Sequence, residues 1–417
     1  MDFFSAIPLP LWIAALLAFY VAWAIGANDV ANAMGTSVGS GALTVGGAII
    51  VAAIFEFAGA FLAGGHVTDT VRKGMLDMSL LGREELIYGM MASLASAGTL
   101  LIGATRFGLP ISTTHAIVGA IVGFGAVAIG IDAVNWPKVL QISLSWITSP
   151  LLAGVIAFAI FHLIRSTILN KSNPVHQIRK YGPAFFFFVF FIIGLVTLFK
   201  GLKHINLDLD LMEAIAGSVA LGLIGSGIGA FFIRRVQIGE ADPDHRFDQV
   251  ERIFVVLQIL TACAIAFAHG SNDVANAIGP LAAIVNAVEN VDLTAKAPVA
   301  PWMLAIGGLG IVIGLATWGY RVMETVGKKI TELTPSRGFA AQLAAASTIV
   351  LASRLGIPIS TTHTLVGAVL GVGLARGITA LDLRVVGNIL ASWIATLPIA
   401  AALSVFFYYF FKGLLTA

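Results

Sequence analysis

The chain has 417 residues, of which 58% are hydrophobic and only 11% charged, with a formal net charge of +2. Soluble domains carry about a quarter charged residues, so this composition, with a mean hydropathy of +0.94, excludes a protein written for water. The near-neutral balance says nothing about nucleic acid and no basic block suggests it, while Cys263, the only cysteine, excludes an intrachain disulfide. The composition therefore reads as an all-α polytopic membrane protein.

A helix needs about 20 apolar residues to cross the bilayer core. In chain order, apolar runs lie near 6–25, 43–65, 86–105, 115–131, 141–163, 184–200, 212–233, 253–270, 300–320, 340–353, 363–378 and 386–411. That is about twelve transmembrane segments. The first has no basic n-region and leads straight into a polar motif, so it reads as a retained span rather than a cleaved signal peptide. The runs 340–353 and 363–378 are short, which suggests broken helices or re-entrant hairpins.

Polar motifs interrupt these runs, and each occurs twice. GANDVANAMG, Gly26 to Gly35, returns as GSNDVANAIG, Gly270 to Gly279. LPISTTHAIVGA from Leu109 returns as IPISTTHTLVGA from Ile357. Weaker echoes pair DTVRKG from Asp69 with ETVGKK from Glu324, and SWITSPLLAG from Ser145 with SWIATLPIAA from Ser392. The chain thus divides into repeat 1 at 1–163, a central two-span insert with loops at 164–252, and repeat 2 at 253–417. Seven spans precede the one that leads into the second NDVAN copy, so repeat 2 enters from the opposite face and the repeats are inverted. Lys and Arg concentrate in the connections holding Arg165, Lys171, Arg179, Lys180, Arg234, Arg235, Arg246, Arg252, Arg321, Lys328, Lys329 and Arg337. The positive-inside rule places these in the cytoplasm and both termini outside. The charged loop Ala241 to Arg252 reads as a solvated linker.

In NDVAN, Asn28 and Asn32 share one helix face with Asp29 beside them, and Asn272, Asn276 and Asp273 repeat the pattern. A carboxylate and two carboxamides at membrane depth are costly unless paired, and such groups mark ion or substrate pathways. The bland alternative is interhelical hydrogen bonding; duplication around an Asp favours the functional reading. All donors are hard oxygens, which suits sodium-like cations. The glycines that follow, Gly35, Gly39, Gly41, Gly46 and Gly47, and Gly279–Pro280 in the second copy, suggest that the helix unwinds there and adds carbonyl oxygens. Glu56 is isolated in an apolar run, a candidate cation ligand, proton site or gating partner, or else a salt-bridge partner of a loop Arg.

PISTTH reads as a helix start. Ser112, Thr113 and Thr114 precede one apolar run, and Ser360, Thr361 and Thr362 precede another. A capped helix start leaves backbone N–H groups and a positive dipole facing outward, a ready anion site. Two such starts facing each other, with hydroxyls added, suit a tetrahedral oxyanion. Ordinary N-capping would explain either copy alone. His115 and His363 follow the threonines and either orient hydroxyls or make structural hydrogen bonds. Arg106 and Arg354, four residues before each motif Pro, either attract anions electrostatically or snorkel to the interface, the second being the favoured reading. There is no HExxH zinc spacing and no placed oxyanion hole, so the chain is not expected to be an enzyme.

With these duplicated signatures the sequence resembles the inorganic phosphate transporter (PiT) family over essentially its whole length. That resemblance implies an inverted-repeat core that carries inorganic phosphate with sodium or protons. By motif position it makes Asn28, Asp29, Asn32, Asn272, Asp273 and Asn276 cation or phosphate ligands. Ser112, Thr113, Thr114, Ser360, Thr361 and Thr362 become phosphate contacts, and Glu56 gains weight as a cation ligand. The central insert is shorter than the long hydrophilic loop of some relatives.

The expected mechanism is secondary symport in a cell membrane. Sodium is favoured over protons because Asn amides do not titrate, although Asp29, Asp273 or Glu56 could carry one. The expected partners are phosphate, sodium or protons, and the lipid bilayer. Sodium ions are co-transported ligands and no cofactor is expected. Sulfate transport and an anion channel are the competing readings. A homodimer would fit a bundle with so many Gly and Phe surfaces.

Overall fold

A computed structural model describes residues 8–64, 75–77, 80–198, 209–235, 246–289, 299–354 and 359–416. DTVRKG at 69–74, much of the linker at 241–252, and Pro358 with the side chain of Arg354 lie outside these.

Among the described residues, every apolar run falls on a helix and no strand is found. In chain order the helices are α1 Leu9–Gly39, α2 Val45–Ala63, α3 Arg83–Arg106, α4 Thr113–Ala128 and α5 Trp136–Ile164. The central pair is α6 Pro174–Val196 and α7 Leu211–Arg235. Then come α8 Arg246–Glu289, α9 Pro301–Trp318, the short α10 Tyr320–Glu324, α11 Pro335–Arg354, α12 Thr361–Arg376 and α13 Leu383–Thr416. Among the described residues, nine helical segments are long and apolar enough to cross a membrane. The chain is an integral membrane protein.

α4 and α12 have only 16 residues each, about 24 Å of helix against a hydrocarbon core of ~30 Å. These are the helices that PISTTH opens, so the breaks fall at that motif. The expected unwinding after NDVAN does not occur. α1 continues without interruption to Gly39, and α8 runs for 44 residues straight through Gly279 and Pro280. Close packing explains the first glycines: a Cβ on Gly39 would sit 2.0 Å from the Gly327 carbonyl oxygen, and one on Gly35 3.3 Å from Val326. Gly41, at φ +77°, makes the turn into α2, whose first residues include Gly46 and Gly47 under a Thr44 N-cap. Pro280 bends no helix into a loop; lacking an N–H, it withholds one hydrogen bond from the carbonyl a turn earlier.

The packing obeys an exchange. α1 packs on α9 and α2 on α8; α5 on α12 and α13 on α4; α3 on α13 and α11 on α5; α1 on α3 and α8 on α11. Backbone contacts are exchanged too. Gly26 abuts the Ile311 backbone where Gly270 abuts that of Glu56, and Gly59 meets Phe267 where Gly314 meets Trp23. Only glycine allows helices this close. α6 and α7 pack on each other, and α6 also packs on α8 and α11.

Candidate functional site

The motif side chains of α1 and α8, apart from the half-buried Asn272, are buried at the centre of this arrangement. Asn28, Asp29 and Asn32 are at most 2% exposed, and Asp273 is 1% exposed. Asp29 is held by both helix starts: Thr113 Oγ1 donates to its Oδ2 at 2.5 Å, and Thr362 Oγ1 to its Oδ1 at 3.2 Å. Asn32 Nδ2 donates to Thr362 Oγ1 at 2.8 Å and reaches Thr361 Oγ1 at 3.5 Å. Residues from both ends of the sequence therefore share one cluster.

Asn28 has a different job. Its Nδ2 donates to Thr105 Oγ1 at 2.9 Å and to the Leu109 carbonyl at 3.1 Å, while its Oδ1 accepts from Ile111 N at 3.2 Å. The amide latches the connection between α3 and α4 onto α1, which sets where Thr113 stands.

Asp273 accepts from Thr361 Oγ1 at 3.0 Å and from Asn272 Nδ2 at 2.9 Å. Its Oδ2 also lies 2.7 Å from Nε2 of His269, one helical turn earlier. The other His269 nitrogen lies 3.3 Å from Glu56 Oε1. The partner of Glu56 is thus a buried histidine of α8, in place of the loop arginine that was the bland alternative from the sequence. His269 was missed, although its place four residues before Asp273 put it on the same face. One ligand atom each of Asp29, His269 and Asp273 lies within 4.8 Å of the other two. Three buried carboxylates, Glu56, Asp29 and Asp273, share a single histidine. Like charges this close attract a cation, and the hydroxyl and amide oxygens around them are hard donors.

The helix starts are built as expected. Ser112 caps α4, its Oγ accepting from His115 N at 3.3 Å; Ser360 caps α12, accepting from His363 N at 3.1 Å. The two starts meet: the rings of His115 and His363 lie edge to face, with centroids 4.3 Å apart. Each ring also packs on a tryptophan of its own half, His115 on Trp146 at 3.6 Å and His363 on Trp393 at 3.5 Å. His363 Nδ1 lies 3.1 Å from the Trp146 carbonyl, which only accepts, so this nitrogen carries the proton. The histidines pin the helix starts together. Asn276 is buried and Thr114 half-buried. Arg106 is exposed at the end of α3, away from the cluster.

Two positively polarised helix starts, hydroxyl donors and a carboxylate cluster together can hold an anion and cations side by side. Comparisons with known proteins agree. The profile of the Phosphate transporter family matches residues 25–404. A candidate phosphate permease of Haemophilus influenzae is 47% identical over 402 residues, covering 96% of each chain. The inorganic phosphate transporter 2-1, chloroplastic, of Arabidopsis thaliana is 44% identical, covering 96% of this chain and 72% of its own. A solved structure of a sodium-dependent phosphate transporter superposes with a TM-score of 0.89 at 42% identity, covering 97% of this chain and 99% of that one.

Proposed function

The chain belongs to the phosphate transporter family, and from that premise we propose that it imports inorganic phosphate by sodium symport, through alternating access at one midplane site shared by two inverted repeats. It is a transporter and not an enzyme. The observation that carries the coupling is where the threonine hydroxyls point. Thr113, Thr361 and Thr362 stand at the helix starts suited to phosphate, yet their protons go to Asp29 and Asp273.

The sequence of events follows from electrostatics. Two unit charges of like sign 4 Å apart repel by about 4 kcal/mol at an effective dielectric of 20. Phosphate, with one to two negative charges, is therefore rejected while both aspartates are bare. Sodium ions on Asp29, Asp273, Asn32, Asn276 and Glu56 oxygens cancel that charge. They also take over the carboxylate oxygens, and the threonine hydroxyls turn to the anion. Ser112, Thr113, Thr114, Ser360, Thr361 and Thr362 then receive phosphate beside the two helix dipoles. Asn28 and Asn272 position the aspartates' surroundings. Each ligand favours the other's binding by the same factor, and the repeats rock about the loaded site.

The test is uptake of radiolabelled phosphate into proteoliposomes holding the purified protein. Under an inward sodium gradient phosphate accumulates above its external concentration, and sulfate does not displace it. Accumulation driven equally by a proton gradient with choline in place of sodium would overturn sodium coupling. Downhill flux without accumulation would overturn symport itself.

A further inference from the structure

The paired segments SWITSP from Ser145 and SWIATLP from Ser392 each bury a tryptophan, Trp146 on α5 and Trp393 on α13. The copies differ by one residue before the proline. Pro150 falls four residues after Trp146 inside α5, so the Trp146 carbonyl has no N–H to meet it along the helix. His363 Nδ1 takes that place at 3.1 Å. In the second copy Pro398 falls five residues after Trp393, and there the tryptophan contributes its side chain instead. Trp393 Nε1 donates to the carbonyl of Pro110, the residue that opens PISTTH, at 3.0 Å. Each tryptophan thus packs its ring on the histidine of its own half and makes a hydrogen bond to the helix start of the other.

The four rings form one continuous stack. Centroids lie 3.6 Å apart from Trp146 to His115, 4.3 Å from His115 to His363 and 3.5 Å from His363 to Trp393, the last pair nearly parallel at 16°. The stack runs between two tightly packed helix pairs. α4 abuts α13, where a Cβ on Gly119 would stand 2.7 Å from the Leu397 carbonyl oxygen, and α5 abuts α12, where one on Gly154 would stand 3.0 Å from that of Gly367. The two hydrogen bonds close each pair on itself, Trp393 to Pro110 in the first and His363 to Trp146 in the second. Across the pairs, the helix starts meet through the rings and through Thr362, whose hydroxyl reaches the Ile111 carbonyl at 3.3 Å. A hydroxyl can turn away, whereas buried rings in contact resist compression.

We propose that Trp146, His115, His363 and Trp393 are a spacer that fixes the gap between the two PISTTH helix starts and so sets the affinity for phosphate. They are positioning residues. The groups bonded to the two aspartates are Thr113, Thr361, Thr362, Asn272 and His269, so the rings act through the helix starts that carry those threonines. His115 and His363 stand two residues after Thr113 and Thr361, within the first turn of the same helices, and a shift of either ring carries the hydroxyls with it. An anion held from both sides needs both helix starts at contact distance together, and a site is only as tight as the shell that supports it. This inference rests on the reading that phosphate sits between the helix starts.

The experiment measures phosphate uptake in proteoliposomes and, on the purified transporter in detergent without phosphate, the sodium dependence of thermal unfolding. Trp146→Leu and Trp393→Leu each take a ring from one end of the stack. Trp146→Phe keeps the ring and removes only an N–H that meets no partner; Trp393→Phe keeps the ring and removes the bond to Pro110. In the two Leu variants KM for phosphate is expected to rise roughly tenfold, with the maximal rate per folded transporter and the half-saturating sodium concentration near those of the wild type. Trp146→Phe is expected to match the wild type, and Trp393→Phe to fall between it and Trp393→Leu. A wild-type KM in both Leu variants, or Trp146→Phe as impaired as Trp146→Leu, would overturn the spacer. A KM that rises in step with half-saturating sodium would make the rings ordinary core packing and overturn it as well. A wild-type protein that takes up no phosphate would overturn the phosphate reading instead. If the Leu variants do not fold, His363→Asn decides, since it keeps a donor for the Trp146 carbonyl and removes a ring from the middle of the stack: an unchanged KM there overturns the proposal.

Discussion

Asp29 is where the two halves of the chain, the hydroxyls and the carboxylates come together. Its oxygens accept protons from Thr113 and Thr362, which lie on helices opened by different copies of PISTTH. Asp29→Asn keeps the shape, removes the charge and can no longer trade a sodium ion for those hydroxyls. Phosphate uptake is expected to fall at least tenfold, with the half-saturating sodium concentration raised, as read in proteoliposomes at several sodium concentrations. Wild-type uptake with unchanged sodium activation would break the coupling scheme. The chemistry of Asp29 was legible from the sequence, because an acid flanked by Gly, Ala and Asn in an apolar run has few other uses. Its partners were not. Nothing local links it to Thr362, and nothing marks the Asn28 amide as a latch for Leu109 and Ile111.

Among the elements, glycine decides which helices touch. At Gly270 a Cβ would stand 2.1 Å from the Glu56 carbonyl oxygen, so α8 and α2 approach backbone to backbone. Gly270→Ala forces them apart, an overpacking that costs about 1–3 kcal/mol, and it moves Glu56 relative to His269. A lower melting temperature and weaker sodium-dependent uptake are expected. Gly103→Ala is the control: a Cβ there meets nothing within 4 Å, and replacing an interior helix glycine removes a penalty of up to ~1 kcal/mol. Equal melting temperatures for the two variants would show that the close approach is not needed. The sequence suggested that Gly35, Gly39 and Gly279 loosen the helix. Helix breaking and close packing call for the same small residue, and only the neighbour across the interface separates the two uses.

For the whole molecule, the exchanged packing of α1 with α9 and α2 with α8 is what two repeats make when each completes the other. The inverted arrangement proposed above would put both termini outside and the Arg165–Lys171 connection inside. Replacing Cys263 with Ser gives a cysteine-free background. In intact cells a membrane-impermeant maleimide is expected to label Leu9→Cys and Thr416→Cys, and to label Lys171→Cys only after permeabilisation. Labelling of Lys171→Cys in intact cells would reverse the orientation. The exchange is incomplete, and the exceptions are chemical: Glu56 and His269 occupy positions whose counterparts are Ile311 and Ile25.

The sequence by itself determined the solvent, the helices, the duplication and the class of ligand. These follow from composition, from run length against bilayer thickness, and from the cost of placing Asp and Asn at membrane depth. It also located the helix starts, because Ser caps a helix through atoms only three residues away. The tertiary structure alone decided that α1 and α8 stay unbroken and that His269 stands between Glu56 and Asp273. It alone set Thr362 on Asp29 and stacked Trp146, His115, His363 and Trp393 against one another. All of these depend on residues far apart in the chain, brought together by packing between repeats. The physical reason is range: capping and periodicity act within a turn or two, whereas charge pairing and hydrogen-bond orientation depend on what the neighbouring helix presents.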